Sequence, residues 1–135
     1  VLALLESSLA DALYATATGT LADLPPLKWK DGYAATVVLA AEGYPANPRK
    51  GGVITGEGLE DPSIVLHAGT AEGENGGYVA AGGRVLNVVG TGATLEEATK
   101  VAYDAIEKIS LDGSFYRHDI ARPAIDGKIT VGTSK

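Results

Sequence analysis

The chain opens with leucines spaced three and four residues apart. These spacings place them on one face of a helix, and Gly19 is a suitable stop, so a first helix is predicted over Val1–Thr18. Its apolar stripe needs another element to pack against. The stripe consists of Leu2, Leu5, Leu9 and Leu13. The following "ADLPPLKWKDG" is predicted to be a connector, because consecutive prolines exclude helix and Asp-Gly favours a turn.

Short apolar and β-branched runs then predict four strands. They are "YAATVVLAAEG" from Tyr33, "SIVLHAGTA" from Ser63, "GYVAAGG" and "RVLNVVGTG". The second and third are separated by "EGENGG", which is typical of a hairpin connection. The segment "GYPANPRKGGVITGEG" is predicted to be irregular over most of its length, because it is rich in Gly and Pro.

A second helix is predicted to begin after Thr94, since "TLEE" places Glu97 at the capping-box position. Its apolar face is expected to run through Leu95, Ala98, Val101, Ala102, Ala105, Ile106 and Ile109. Two pairs four residues apart, Glu96 with Lys100 and Asp104 with Lys108, are expected to support it.

This order of elements predicts an α+β fold: a mostly antiparallel sheet with helices packed on one side. Residues 1–122 are predicted to form one domain that includes the leading helix. Residues 123–135, from within "RPAIDGKITVGTSK", are predicted to be a tail or a short terminal hairpin.

Composition narrows the possible functions. With 135 residues, 45% hydrophobic and 21% charged, the chain fits one folded domain. A net charge of −6 argues against nucleic-acid binding, and the lack of cysteine excludes disulfides and thiol chemistry. No apolar run approaches the roughly 20 residues needed to cross a bilayer, so a cytoplasmic protein without membrane contact is expected. Because the chain starts without methionine inside "VLALLESSLADAL", it is expected to be a piece of something longer.

Three groups of residues are candidates for binding an anion or for catalysis. Gly82, Gly83 and Arg84 could bring backbone and a planar fork of donors to a phosphate or carboxylate; the alternative is a tight turn with a solvated arginine. Arg49 and Lys50 could attract an anion or form a solvated loop tip. His67, at the end of an apolar run, is expected to be structural rather than catalytic. No nucleophile elbow, P-loop or EF-hand motif is present in the sequence.

Four segments in order resemble one family. "GYPANPRKGGVITG", "VLHAGTA", "GGRVLNVVGTGATLEEATKVAYDAIEKI" and "GSFYRHDIA" look like successive landmarks of the C-terminal part of the phosphoribosylamine-glycine ligases, also called glycinamide ribonucleotide synthetases. The resemblance implies an ATP-grasp ligase of purine biosynthesis that joins glycine to 5-phosphoribosylamine, with ATP and magnesium or manganese. It yields glycinamide ribonucleotide, ADP and phosphate. The family's "RFGDPE" segment, whose carboxylates serve magnesium and ATP, would fall upstream of Val1.

The resemblance also implies roles for residues of this chain. Gly82, Gly83 and Arg84 match the substrate side of the family's active site, and the "GYP" and "KG" matches add Tyr44, Pro45 and Gly51 to the expected substrate-binding residues. Arg49 and Lys50 stand where relatives vary. No catalytic residue and no metal ligand is expected in this part.

The isolated chain is expected to be inactive. It would pack on absent ATP-grasp domains and, without them, expose its leucine stripe and self-associate. The alternative function is a stand-alone, non-enzymatic binding module with the same domain shape.

Overall fold

Two small antiparallel sheets form the framework of the protein. The computed structural model describes residues 1–129. The first sheet has the strand order β1-β6-β3, formed by β1 (Tyr33–Ala40), β6 (Arg84–Gly92) and β3 (Val65–His67). The second has the order β4-β5-β2-β7, formed by β4 (Thr70–Glu72), β5 (Tyr78–Ala80), β2 (Val53–Gly56) and β7 (Ile109–Ser110). The predicted α+β class is confirmed, with the strands divided between two sheets.

The central strand β6 is paired on both edges and carries the core. Its partner residues in β1 and β3 include Val37 and Val65, both opposite Val88. Helix α2 (Leu95–Ile106) packs on β1 and β6 and buries Ala98, Ala102 and Ile106. Gly90 permits this approach, since a Cβ there would collide with the backbone of α2 at Ala98 and Ala102. The side of the sheet under α2 is called the covered face below.

The other side of the three-stranded sheet is called the open face. Alternation along the strands places Thr36 and Val38 of β1 there, together with Leu66 of β3 and Asn87 of β6. Thr36 and Leu66 are exposed, and Val38 and Asn87 are half-buried. One strand therefore supplies both a dry core and an accessible surface.

The first helix is shorter than predicted. Helix α1 spans Leu9–Thr18, capped by the Ser8 hydroxyl, which accepts the Asp11 N–H at 3.2 Å. It ends at Gly19 as predicted. The preceding residues form a 3₁₀ turn at Leu2–Leu4 and then pair with the proline-containing connector. The Glu6 N–H donates to the Lys28 carbonyl at 2.9 Å, and the Lys30 N–H donates to the Leu4 carbonyl at 2.8 Å. These long-range bonds replace the first two turns of the expected helix.

Three further predictions need correction. The run from Ser63 is two strands, β3 and β4, in different sheets. Helix α2 ends at Ile106, so Ile109 belongs to β7 instead. The two lysines of the predicted ion pairs have other partners. Lys100 Nζ lies 2.5 Å from Asp104 Oδ2, and Lys108 Nζ lies 3.5 Å from Glu57 Oε2.

Other predictions are confirmed. The β4–β5 hairpin forms across "EGENGG". The capping box at α2 is complete: the Thr94 hydroxyl accepts the Glu97 N–H at 3.1 Å, and the Glu97 carboxylate accepts the Thr94 N–H at 3.2 Å.

The chain end contains helix rather than strand where it is described. Helix α3 covers Arg122–Ile125, and a turn follows it. Residues 130–135, part of the predicted tail or hairpin, lie outside the described residues. The boundary at 122 stays a prediction. Within residues 1–129, none of the helices has the length and apolarity needed to traverse a bilayer.

Candidate functional site

An open cleft of about 640 Å³ lies where the double glycine enters β6. Three of the predicted site residues line it: Tyr44, Gly83 and Arg84. The remaining lining residues come from the start of the β3–β4 connection and from the middle of β6; they are Ala68, Gly69 and Asn87. The structure thus brings together two segments, around positions 44 and 83, that are about forty residues apart in sequence.

A bulge in β6 directs Arg84 toward this cleft. Leu39 of β1 lies opposite Leu86, but the next residue, Ala40, lies opposite Arg84, so Val85 is an extra residue without a partner in β1. In a regular strand, residues three apart face opposite sides. The bulge shifts that alternation by one and places Arg84 with Asn87 on the open face. Val85 itself is completely buried.

The two glycines before Arg84 make room for neighbouring parts of the chain. A Cβ at Gly83 would collide with the Tyr44 ring and lie 3.2 Å from Pro48 Cγ. A Cβ at Gly82 would lie 3.2 Å from Gly69 Cα. Gly69 in turn accepts the N–H groups of Ala81 and Gly82 at its carbonyl, at 2.7 and 3.1 Å. The two glycines therefore allow the segments around Tyr44 and Gly69 to pack close to the backbone just before Arg84.

The cleft has an unbalanced positive charge. Arg84 is exposed, and among residues 1–129 its guanidinium has no hydrogen-bond or ion-pair partner. None of the other lining residues is acidic. In a chain with a net charge of −6, a cation without a carboxylate beside it is a local exception that favours an anionic ligand.

Arg49 has a structural setting outside the cleft. Its guanidinium donates to Glu42 at 3.1 Å and to Asp112 at 3.0 Å. These hydrogen bonds, Glu42 first, raise the pKa of Arg49 further above its usual range. They tie the loop that carries Tyr44 to the turn after β7. Lys50 is exposed beside it and does not line the cleft.

His67 also lies outside the cleft, and both ring nitrogens are occupied. Nε2 donates to the Leu59 carbonyl at 3.0 Å, which leaves Nδ1 of a neutral ring to accept from the Thr70 hydroxyl at 3.0 Å. The ring packs on Tyr78 with centroids 4.2 Å apart. This arrangement fits the structural histidine that the sequence favoured.

The other two predicted positions flank the cleft segment. Pro45 follows Tyr44 through a cis peptide bond and is exposed. Gly51 lies at the far end of the loop, where its N–H donates to the Ala80 carbonyl at 2.7 Å. Neither lines the cleft, and the binding roles of all these residues stay predictions.

Asn87 is the lining residue that sequence reasoning missed. It is the one polar side chain between Val85 and Gly90, a stretch in which the five other residues are buried. That interruption of an apolar run was a signal available in the sequence, but its meaning depends on the bulge, which the sequence did not reveal.

The described part of the chain offers no cluster of metal ligands at the cleft. Within residues 1–129, no three His, Asp or Glu side chains are close enough to hold a metal ion together. The carboxylates nearest in sequence to the cleft loop, such as Glu42, are engaged by Arg49.

Comparison with known proteins places these features in a family. The family model for "Phosphoribosylglycinamide synthetase, C domain" matches residues 34–123, which is 90 of the 135 residues. The match includes the cleft, the bulge and α2.

Among curated proteins, the phosphoribosylamine–glycine ligase of Corynebacterium ammoniagenes is 51% identical over 97% of this chain. The ligase of Mycobacterium tuberculosis strain H37Rv is 53% identical over the same share. In both cases the match covers 30% of the relative, so the chain spans about a third of the length of these proteins.

A solved structure agrees with the sequence matches. The crystal structure of phosphoribosylamine–glycine ligase from Thermotoga maritima superposes on 82% of this chain with a TM-score of 0.69 and 40% identity, covering 26% of that protein. Family model, relatives and structure coincide, and the chain belongs to the family of phosphoribosylglycinamide synthetase C domains.

Proposed function

We propose that this chain is the C-terminal part of a phosphoribosylamine–glycine ligase. The full enzyme would join glycine to 5-phosphoribosylamine in purine biosynthesis, consuming ATP and releasing glycinamide ribonucleotide, ADP and phosphate in the cytoplasm. The proposal is supported by relatives that are named for this reaction and are 51% and 53% identical over 97% of this chain.

The observation that carries a role for this part is Arg84 in the open cleft, whose guanidinium has no partner among residues 1–129. A guanidinium binds two phosphate oxygens at once, which fixes the orientation of the phosphate as well as its position. Arg84 is proposed to hold the phosphate of phosphoribosylamine. With that end fixed on a rigid strand, the amine at the other end can be presented to the activated glycine. The Gly82–Gly83 pair and the Tyr44 ring shape the cleft around the arginine.

Activation of glycine is assigned to the rest of the enzyme. Phosphoryl transfer depends on groups that position and neutralise the transferred phosphate, chiefly magnesium and its carboxylate ligands. Residues 1–129 contain no such cluster of three ligands. ATP and magnesium are therefore proposed partners of the full enzyme, and the isolated chain is proposed to be inactive.

The N-terminal segment is proposed to contact the remaining domains. Of the fourteen large apolar side chains exposed in residues 1–129, nine lie in the first 33 positions. Leu13 and Tyr14 of α1 are 61% and 72% exposed, although α1 is otherwise a well-capped helix. An apolar surface of this kind is typical of an interface, so the isolated chain is proposed to self-associate in its place.

The test is Arg84→Ala in the full-length ligase. We expect the Michaelis constant for phosphoribosylamine to rise, or turnover to fall, by at least about tenfold, because a charge-assisted bidentate contact is lost. Arg122→Ala is the matched control, since Arg122 is an exposed arginine outside the cleft with a 4.0 Å contact to Asp126. Unchanged kinetics for Arg84→Ala would contradict the proposed phosphate site.

A further inference from the structure

Asn87 is a polar residue in an otherwise apolar part of β6. Its neighbours along β6, Leu86 and Val88, are completely buried, and β6 is paired on both sides. Among residues 1–129, the Asn87 carboxamide forms no side-chain hydrogen bond, and its polar atoms are not sealed from solvent. Its cross-strand neighbours are the apolar Val38 and Leu66, which offer it no partner.

The backbone around Asn87 is held rigidly. It pairs with Val38 on one side and Leu66 on the other, while the adjacent residues anchor β6 in the core. A side chain on a backbone held in this way can discriminate between ligands, because the strand does not shift to accommodate a wrong one.

The bulge at Val85 places this amide in the same cleft as Arg84. Three strand residues span at most about 10 Å, and the long arginine side chain can shorten the gap between the two polar groups. A sugar monophosphate suits two such groups, because it has a phosphate at one end and hydroxyls at the other.

The chemistry of a carboxamide matches hydroxyl groups. It presents two N–H donors and one carbonyl acceptor, and a hydroxyl both donates and accepts. A fully ionised anion only accepts, so it would leave the amide oxygen without a partner. The cleft thus combines a cation for a phosphate with a neutral donor–acceptor group for the body of the ligand.

Building on the proposed function, we propose that Asn87 is a specificity-determining residue of the Arg84 cleft that hydrogen-bonds the sugar hydroxyls of the phosphorylated substrate. Arg84 would select for the phosphate, and Asn87 would select for a hydroxylated sugar attached to it.

The test measures binding of two probes to the full-length ligase, ribose 5-phosphate and inorganic phosphate, by phosphorus NMR titration. Asn87→Leu keeps the size of the side chain and removes its polar atoms; Asn87→Asp keeps the shape and removes the donors. Thr36→Val is the matched control, because Thr36 is an exposed polar residue of the open face that does not line the cleft. Thermal unfolding of each variant checks that it is folded.

We expect Asn87→Leu to weaken ribose 5-phosphate binding by about tenfold and to leave inorganic phosphate within about twofold of wild type. Asn87→Asp should also weaken ribose 5-phosphate, and Thr36→Val should change neither probe. Arg84→Ala should weaken both.

Equal effects of Asn87→Leu on the two probes, or no effect on either, would overturn the specificity role while leaving the Arg84 site intact. If Arg84→Ala changes neither probe, the proposed phosphate site fails, and the role of Asn87 fails with it.

Discussion

The two faces of the three-stranded sheet are made from the same strands but differ in how far their side chains are buried. On the covered face, Val37, Leu39, Leu86 and Val88 are at most 2% exposed beneath α2. On the open face, Leu66 is 46% exposed and the polar Asn87 lies beside it. Stability is concentrated on one side of β6, and the candidate ligand groups lie on the other.

The bulge at Val85 allows β6 to contribute residues both to the core and to the cleft. Without the extra residue, alternation would place Arg84 on the covered side, where a charge without a partner is costly to bury. The buried Val85 anchors the bulge in the core, and the residue before it is free to serve the cleft. A local irregularity in the sheet thus separates the structural from the functional positions.

The largest expected effect compares two leucines on opposite faces. Leu86→Ala should lower the free energy of unfolding by about 2–5 kcal/mol, because it leaves a cavity under α2. Leu66→Ala removes the same atoms from the open face and should cost less than about 1 kcal/mol. Denaturant unfolding of the two variants measures both values. Equal losses would mean that the open face is packed as tightly as the covered one.

The next prediction concerns the wall of the cleft. Gly83→Ala should displace the Tyr44 ring, since the new methyl group collides with it, and should weaken phosphoribosylamine binding in the full-length ligase. If the clash with the Tyr44 ring causes the loss of binding, Gly83→Ala should have a smaller effect in a Tyr44→Ala background. A double-mutant cycle on the Michaelis constant is expected to give a coupling energy of at least about 0.5 kcal/mol. Strict additivity would show that Gly83 acts independently of Tyr44.

The smallest expected effect concerns charge near the end of α2. The hydrogen bond from Arg117 lowers the pKa of Asp119, and the Tyr103 hydroxyl of α2 donates to the Arg117 carbonyl at 2.6 Å. A carboxylate with a lower pKa in the folded state stabilises the fold above its unfolded pKa, near 3.9, and this stability is lost as the pH falls through the folded pKa.

Asp119→Asn should therefore lower the stability slightly above about pH 5, where the charged pair stabilises the wild type, and the difference from wild type should vanish as the pH falls through the folded pKa of Asp119. Because both side chains of the pair are exposed to solvent, the change should be smaller than that of Leu66→Ala. Thermal unfolding between about pH 5 and pH 2 measures it. A loss at neutral pH as large as that of Leu86→Ala would show that charge, rather than packing, holds this side of the sheet.

Sequence patterns correctly predicted the parts of the fold that depend on interactions between residues close in sequence. The capping box at Thr94, the end of α1 at Gly19 and the β4–β5 hairpin all depend on residues close in sequence. The leucine stripe failed as a single helix because residues 4–6 bond to residues 28–30, a contact that periodicity does not report. The strand run from Ser63 was split for a similar reason, since its halves pair with different partners.

The candidate site was predictable in part. Sequence patterns and the family resemblance pointed to Tyr44, Gly83 and Arg84, and these three residues meet in one cleft. Arg49 was ambiguous because its partners Glu42 and Asp112 come together only in the folded chain. Asn87 was missed because it shares a face with Arg84 only through the bulge opposite Leu39 and Ala40, which no pattern in the sequence indicates.

The most direct test of the central claim is a crystal structure of the full-length ligase with ribose 5-phosphate bound. We expect the phosphate at about 2.7–2.9 Å from the Arg84 guanidinium, with a sugar hydroxyl at hydrogen-bond distance from the Asn87 carboxamide. A ligand bound elsewhere, with Arg84 left in solvent and Asn87 without a contact, would contradict the assignment of ligand recognition to the open face.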